Sequence, residues 1–275
     1  MLNTNGNLLS LHKPLVMGII NATPDSFFSE SRAFSENAVA KKAEAMLEDG
    51  ANILDIGACS TRPFAPEVSE AEEISRLRFA LSAIRIVAPN ACLSVDTYRA
   101  SVARMCVEEY GVDIINDISG GDFDPAMFDT MAQLHVPYVV MHTTGKPDTM
   151  QINPTYSHVV AEVIQNLSKK ICKLRRMGVC DIIIDPGFGF GKTIEQNYQM
   201  LQHLSDFQLL NAPILVGVSR KSMIYKPLQC TAEEALNGTT AIHTIALMKG
   251  AHILRTHDVK EAVEAVKLFQ MSSII

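Results

Sequence analysis

DIIIDPG (181–187) sets three isoleucines before an aspartate, and how that stretch is read decides the fold. A short β-rich run bounded by turn residues reads as a strand. It is apolar without alternation, as in a parallel strand covered on both faces. The same pattern recurs in PLVMGIIN (14–21), NILDIGA (52–58), CLSVDT (92–97), DIINDISG (113–120), PYVVMHT (137–143), PILVGVS (213–219) and HILRTHD (252–258). Helical periodicity fills the intervals. Ser35 is placed to cap a helix with Val39, Ala43, Met46 and Leu47 on one face, stopped by Gly50. Ser69 and Glu72 form a capping box ahead of Ile74, Leu77, Leu81 and Ile84. Asp258 and Glu261 start a last helix striped by Val259, Val263, Val266 and Phe269. Eight strands alternating with helices predict an α/β fold, a (β/α)8 TIM barrel, with an open doubly wound sheet as the alternative. No linker, low-complexity tract or duplicated motif divides residues 1–275, so one domain is expected.

Bulk properties narrow the function. A chain of 275 residues that is 47% hydrophobic and 20% charged can bury a large core. A formal net charge of −6 argues against broad binding to nucleic acid or acidic membranes. No apolar run approaches the roughly 18 residues that span a bilayer. The start, MLNTNGNLLSLHKPL, lacks the basic, long apolar and small-residue regions of a signal peptide. Cysteines 59, 92, 106, 172, 180 and 230 form no CxxC pair and read as reduced thiols, so a cytoplasmic location is expected. The 13 methionines read as core filling.

The loop DPGFGFGKT (185–193) looks like a phosphate cradle but matches neither standard one. Only Phe188, Gly189 and Phe190 lie between Gly187 and Gly191, one residue short of a Walker A loop. The third glycine of a dinucleotide fingerprint would fall on Lys192. Its meaning comes from Asp185 and from the other strand ends. Asn21, Asp55, Asp96, Asn116, Asp117, His142, Asp185, Ser219 to Lys221, Arg255 and His257 all close strands, and in a barrel those ends share the active-site face.

Asp96, Asn116 and Asp185 offer acceptors suited to a flat heterocycle with adjacent ring N–H and amine, because a carboxylate takes two parallel hydrogen bonds. Arg62, Arg220, Lys221, Arg255 and His257 supply cationic donors for an anion, most plausibly a phosphate. Solvated charges or salt bridges are the plainer reading for Arg220 and Lys192. Asn21 offers one carbonyl oxygen, so Mg²⁺ would need the substrate's phosphates as well. No Ser-His-Asp, Cys-His, HExxH or clustered Cys/His set can be assigned, which points to positioning and electrostatics.

Eight motifs, MGIINATPDSF (17–27), GACSTRP (57–63), SVDT (94–97), INDISGG (115–121), MHTTGKPDTMQ (141–151), DPGFGFGK (185–192), GVSRKS (217–222) and RTHDV (255–259), closely resemble the dihydropteroate synthase family, in family order over nearly the whole chain. The resemblance implies a (β/α)8 barrel, usually a homodimer and the target of sulfonamides. Its members condense 6-hydroxymethyl-7,8-dihydropterin diphosphate with p-aminobenzoate to give 7,8-dihydropteroate and pyrophosphate. Small-molecule substrates are therefore implied, and no nucleic-acid or membrane partner.

It further implies that Asp96, Asn116, Asp185, Gly217 and Lys221 bind the pterin, with Asp96, Asp185 and Lys221 catalytic. Asn21 corresponds to the Mg²⁺ ligand. Asn21, Thr61, Arg62, Arg255 and His257 surround the diphosphate, while Thr61, Arg62, Phe190, Lys221 and Ser222 face p-aminobenzoate. The implied mechanism is dissociative, with a cation on the exocyclic methylene.

Two departures fall in the first two loops. FSESR (28–32) replaces the family's usual run toward Asp-Gly-Gly, and Cys59 and Phe64 stand where Glu or Gln and Gly are common. Tolerated drift is the plainer reading of Cys59, an oxidisable thiol the other. A pterin-binding corrinoid methyltransferase would have no need of the cationic ends GVSRKS and RTHD. A non-catalytic pterin-binding paralogue would bind without turnover. The length leaves no residues for a second, fused enzyme.

Overall fold

The computed structural model describes residues 1–4, 6–22, 32–59, 68–145 and 154–272. All eight expected strands are present, each trimmed at its ends: β3 (Leu15–Asn21), β4 (Ile53–Gly57), β5 (Leu93–Asp96), β6 (Ile114–Asp117), β7 (Tyr138–Met141), β8 (Ile182–Asp185), β9 (Leu215–Val216) and β10 (Ile253–Thr256). They pair in parallel in the order β8-β7-β6-β5-β4-β3-β10-β9. The ends of that order meet, because the Ile184 N–H donates to the Pro213 carbonyl at 2.9 Å and Ile184 bridges Ile214 in parallel. The sheet therefore closes on itself, and the open alternative is excluded.

Helices cover the outside: α1 (Arg32–Glu48), α2 (Glu70–Val87), α3 (Ala100–Tyr110), α4 (Met127–Leu134), α5 (Val159–Arg176), α6 (Ile194–Gln202), α7 (Ser222–Tyr225), α8 (Leu236–Met248) and α9 (Val259–Ser272). The main core lies between them and the outward faces of the strands, through residues such as Val16, Ile56, Leu77, Val140, Ile184 and Leu254. Contact there is close enough that a Cβ at Gly18 would lie 2.9 Å from the Met46 sulfur and 3.0 Å from Val259.

Two helix starts differ in detail from expectation, and that of the last helix agrees with it. The first helix already begins at Arg32, so Ser35 lies inside it rather than at its cap; Arg and Ala are good helix formers and extend it upstream. Ser69 does cap α2, accepting from the Glu72 N–H at 3.3 Å, but the Glu72 carboxylate turns forward to Arg76 at 2.8 Å. A reciprocal capping box stands at Thr193 and Gln196 instead, opening α6. Asp258 precedes the last helix, and its carbonyl accepts from Ala262 at 3.2 Å.

An N-terminal hairpin was not anticipated. Strands β1 (Leu2–Thr4) and β2 (Asn7–Leu9) pair antiparallel, Leu2 opposite Leu9. The dipeptide Asn5-Gly6 between them is a strong hairpin signal in sequence. Leu2, Leu9 and Leu11 pack with Leu15, Met17, Ile53, Ile183 and Ile253 to fill one end of the barrel interior. The polar chemistry is thereby confined to the other end. All six cysteines are free, and among the described residues no helix is long and apolar enough to cross a membrane.

Candidate active site

Side chains alternate along a strand, so a residue two places on from the interior plug also points to the barrel axis. Ile53 is in the plug, and Asp55 follows it inward; Ile114 leads to Asn116, Ile183 to Asp185, Leu215 to Gly217 and Ile253 to Arg255. On β5 the phase of Cys92 carries through Ser94 to Asp96, and on β3 that of Leu15 and Met17 reaches Asn21. Asp117 has the opposite phase. It is buried outside the axis, accepting from Tyr138 Oη at 2.6 Å, from Ser119 N and Oγ at 2.7 Å and from Gly121 N at 2.8 Å. His142 is likewise buried, its Nδ1 facing the Lys192 ammonium at 3.1 Å. Neither joins the strand-end constellation expected from sequence.

At the centre one guanidinium spans two carboxylates. Arg255 Nε donates to Asp55 Oδ2 at 2.6 Å and Arg255 Nη2 donates to Asp96 Oδ2 at 2.8 Å. Asn116 Nδ2 also donates to Asp55 Oδ2, at 3.1 Å. Asp55 is wholly buried and its other oxygen, Oδ1, has no partner among the described residues, so its charge rests on Arg255 and Asn116. Burial raises the Asp96 pKa, with Asp55, Asp117 and Glu73 adding to the rise and Arg255 opposing it. The carboxylates in turn raise Arg255. Asp55 stood among the strand ends in sequence without a role. Its phase relative to Ile53 was the signal that gives it one.

Asp185 lies beside this clamp. Its Oδ1 accepts from the Gly187 N–H at 2.7 Å, while Oδ2 is unpaired among the described residues. The same is true of Asp96 Oδ1 and Asn116 Oδ1. Besides the wholly buried Asp55 Oδ1, three acceptors thus remain on these inward-facing side chains. Gly217 keeps room next to them, since a Cβ there would lie 3.9 Å from Asp185 Oδ2 and 3.8 Å from Arg255. Burial raises Asp185, and Lys221, the Gly187 N–H, Arg255 and Lys192 pull it back down.

Lys221 reaches across the same loop. Its Nζ donates to the Phe188 carbonyl at 2.6 Å and sits 4.5 Å from the centre of the Phe190 ring. Burial lowers it to about 8, Asp185 and Asp96 raising it and Arg255 lowering it further. Arg220 aims it: that residue is left-handed, φ 56°, a conformation costing about 1–3 kcal/mol in a non-glycine. Thr239 Oγ1 accepts the Arg220 N–H at 3.1 Å, and the guanidinium makes two bonds to Asp258, at 2.9 and 2.6 Å. The plainer reading, a salt bridge, is therefore correct for Arg220. It is not for Lys192, which is buried and bonded to backbone carbonyls and His142.

Phe190 is buried with Ile118 and Met141. Ser222 is partly exposed at the start of the short α7. His257 is exposed, with Ser219 Oγ 3.2 Å from its Nδ1, and its pKa is lowered by partial burial and then by Arg255 and Lys42. Thr61, Arg62, Phe64 and residues 28–31 lie outside the described residues. Cys59 stays a thiol: burial and Glu73 push it up to about 12, against Arg99.

Asn21 ends β3 in the inward phase, partly exposed. Among the described residues no three His, Cys, Asp or Glu gather as a metal site. A hard cation fits here only if the substrate brings most of its oxygen ligands.

The chain resembles known proteins throughout its length. The family profile described as pterin binding enzyme matches residues 17–257. A dihydropteroate synthase from Haemophilus influenzae is 41% identical over 274 residues, 99% of this chain and 98% of the relative. The crystal structure of Yersinia pestis dihydropteroate synthase with a sulfonamide drug complex superposes with a TM-score of 0.92 at 37% identity, covering 100% of this chain and 99% of that one. Xanthomonas albilineans dihydropteroate synthase with 4-aminobenzoic acid gives 0.91 at 36%, covering 100% and 98%.

Asp55 touches no open space, yet the clamp depends on it. Replacing it (Asp55→Ala) strands Arg255 with one carboxylate and is expected to cost about 3–5 kcal/mol in denaturant unfolding. A loss below about 1 kcal/mol would show that Asp96 alone satisfies the guanidinium.

Proposed function

The chain belongs to the pterin-binding enzymes, among the dihydropteroate synthases, which are transferases of folate biosynthesis, and we propose that it joins 6-hydroxymethyl-7,8-dihydropterin diphosphate to p-aminobenzoate. The observation that carries the substrate reading is the unpaired Asp185 Oδ2 beside Asp96 and Asn116. A pterin offers a ring N–H and an exocyclic amine side by side, matching a carboxylate held in place by its own loop. Lys221 donates to the ring carbonyl, and Asn116 and Asp96 accept from the far edge.

The reaction is dissociative. The bond between the exocyclic methylene and the diphosphate breaks first, its electrons leaving with pyrophosphate. The positive charge spreads into the dihydropterin, where Asp96 and Asp185 oppose it at fixed positions. The neutral amine of p-aminobenzoate then attacks the methylene and gives up a proton to water, with Phe190 as an apolar wall and Ser222 near the carboxylate. Thr61, Arg62 and His257 hold the leaving group, joined by the Arg255 Nη1, which the clamp leaves unused among the described residues. Asn21 would complete the coordination of a Mg²⁺ ion carried by the diphosphate. Bound there, such an ion would neutralise charge on the pyrophosphate.

Two copies are expected to associate through α8 and α9, where Ile245, Met248, Leu268 and Met271 are exposed and Met248, Leu268 and Phe269 line a groove between the helices. Sedimentation should then show a dimer, and Met248→Glu with Leu268→Glu a monomer; a monomeric parent would remove the proposal.

The function is tested by pyrophosphate release with and without p-aminobenzoate and Mg²⁺. Mg²⁺-dependent release with dihydropteroate formed is expected, and Asp185→Asn should lower kcat/KM by about 100-fold or more. Pterin binding with no condensation would overturn the assignment. Because the Lys221 ammonium is the form that holds the ring carbonyl, kcat/KM should fall as pH rises through about 8. Lys221→Arg should abolish that limb; a parent profile flat across it would contradict the role.

A further inference from the structure

Lys192 is the one charged group of the 185–193 loop that the reaction above does not use. It is 3% exposed, and no carboxylate lies within ion-pair distance among the described residues. Its three N–H donors are nonetheless spoken for. Nζ donates to the Gly187 carbonyl at 2.9 Å, to the Phe190 carbonyl at 3.0 Å and to His142 Nδ1 at 3.1 Å, with the His142 carbonyl at 3.5 Å. Beside Lys192 as the ammonium, His142 Nδ1 accepts and the ring proton lies on Nε2, and burial with Lys192 and Lys170 nearby keeps the ring neutral.

The loop passes too close to the His142 backbone to admit a side chain. Gly187 is left-handed, φ 74°, and a Cβ there would overlap the His142 carbonyl and stand 3.2 Å from Nζ. Gly187 is also the residue whose N–H holds Asp185 Oδ1, and its carbonyl takes both Nζ and the Phe190 N–H, the latter at 3.1 Å. Asn197 steadies the other limb, accepting from the Gly189 N–H at 2.7 Å and donating to the Thr193 carbonyl at 2.6 Å. Burial lowers Lys192 to about 7 while Asp185 pulls it back up, and an ammonium taken out of water with no carboxylate in contact costs several kcal/mol, so that an apolar side chain would pack there more cheaply. Rules broken at such expense cluster at functional sites.

We propose that Lys192 is a positioning residue for the heterocycle pocket, its ammonium tying the loop to His142 and so setting Asp185 and Phe190 in place. The proposal rests on the pterin reading of that pocket. The ammonium does not touch the substrate; it holds the two groups that do.

Lys192→Met fills the same volume without donors. Its KM for the pterin diphosphate should rise about 10- to 100-fold, the cost of a misplaced contact, while inhibition by inorganic pyrophosphate stays within about twofold. If the pterin KM is unchanged, or both values weaken alike, the proposal fails, because a residue that only supports the fold would not separate them. Should Lys192→Met not fold, Lys192→Gln, which keeps an amide donor, is judged by the same pair of measurements. If the parent itself releases no pyrophosphate, the synthase reading has failed; if the parent turns over and Lys192→Met matches it, only the positioning role has.

Discussion

One buried guanidinium organises the polar end of this barrel. Arg255 holds Asp55 through Nε and Asp96 through Nη2, and Asp55 holds Asn116 in turn. Four strands, β4, β5, β6 and β10, are therefore cross-linked at the level where the interior changes from apolar to ionic. None of these charges is affordable alone, because a lone buried ion costs more than any contact it replaces. They exist as a set. Asp55, Asp96 and Asp185 stand against Arg255, Lys221 and Lys192, three acids to three bases.

That balance shapes the chemistry. Burial raises Asp96 and Asp185 and lowers Lys192 and Lys221, and in each case the opposite charges nearby pull back. Acceptors and donors are held in place before substrate arrives, so no reorganisation is needed when charge develops on a ring or a leaving group. The clamp takes up one oxygen of Asp96, and the loop takes one lone pair of Asp185 Oδ1, leaving its second lone pair and Oδ2 to accept two bonds side by side. What remains is a set of free acceptors whose direction is already fixed.

Most of the fold was legible because period and punctuation agreed. All eight strands were found, with errors confined to their ends. The hairpin went unread, because short strands flanked by polar residues carry little periodic signal and only the Asn5-Gly6 turn marks it. The site was legible only as far as phase could be counted. Asn116 and Asp117 are adjacent, and one enters the pocket while the other is locked outside by Tyr138. Arg220 and Lys221 divide in the same way, through a left-handed backbone that no propensity marks. Lys192 was beyond reach from sequence, because its role comes from the approach of two loops that only packing brings together.

The account stands most directly on the direction of hydrogen bonding at Asp185. Calorimetric titration of pterin against lumazine, which carries an oxygen where pterin has its exocyclic amine, isolates that contact. Pterin should bind at least about 100-fold more tightly, since the carboxylate then faces a donor rather than an acceptor. Equal affinity for the two rings would contradict a pocket anchored on Asp185.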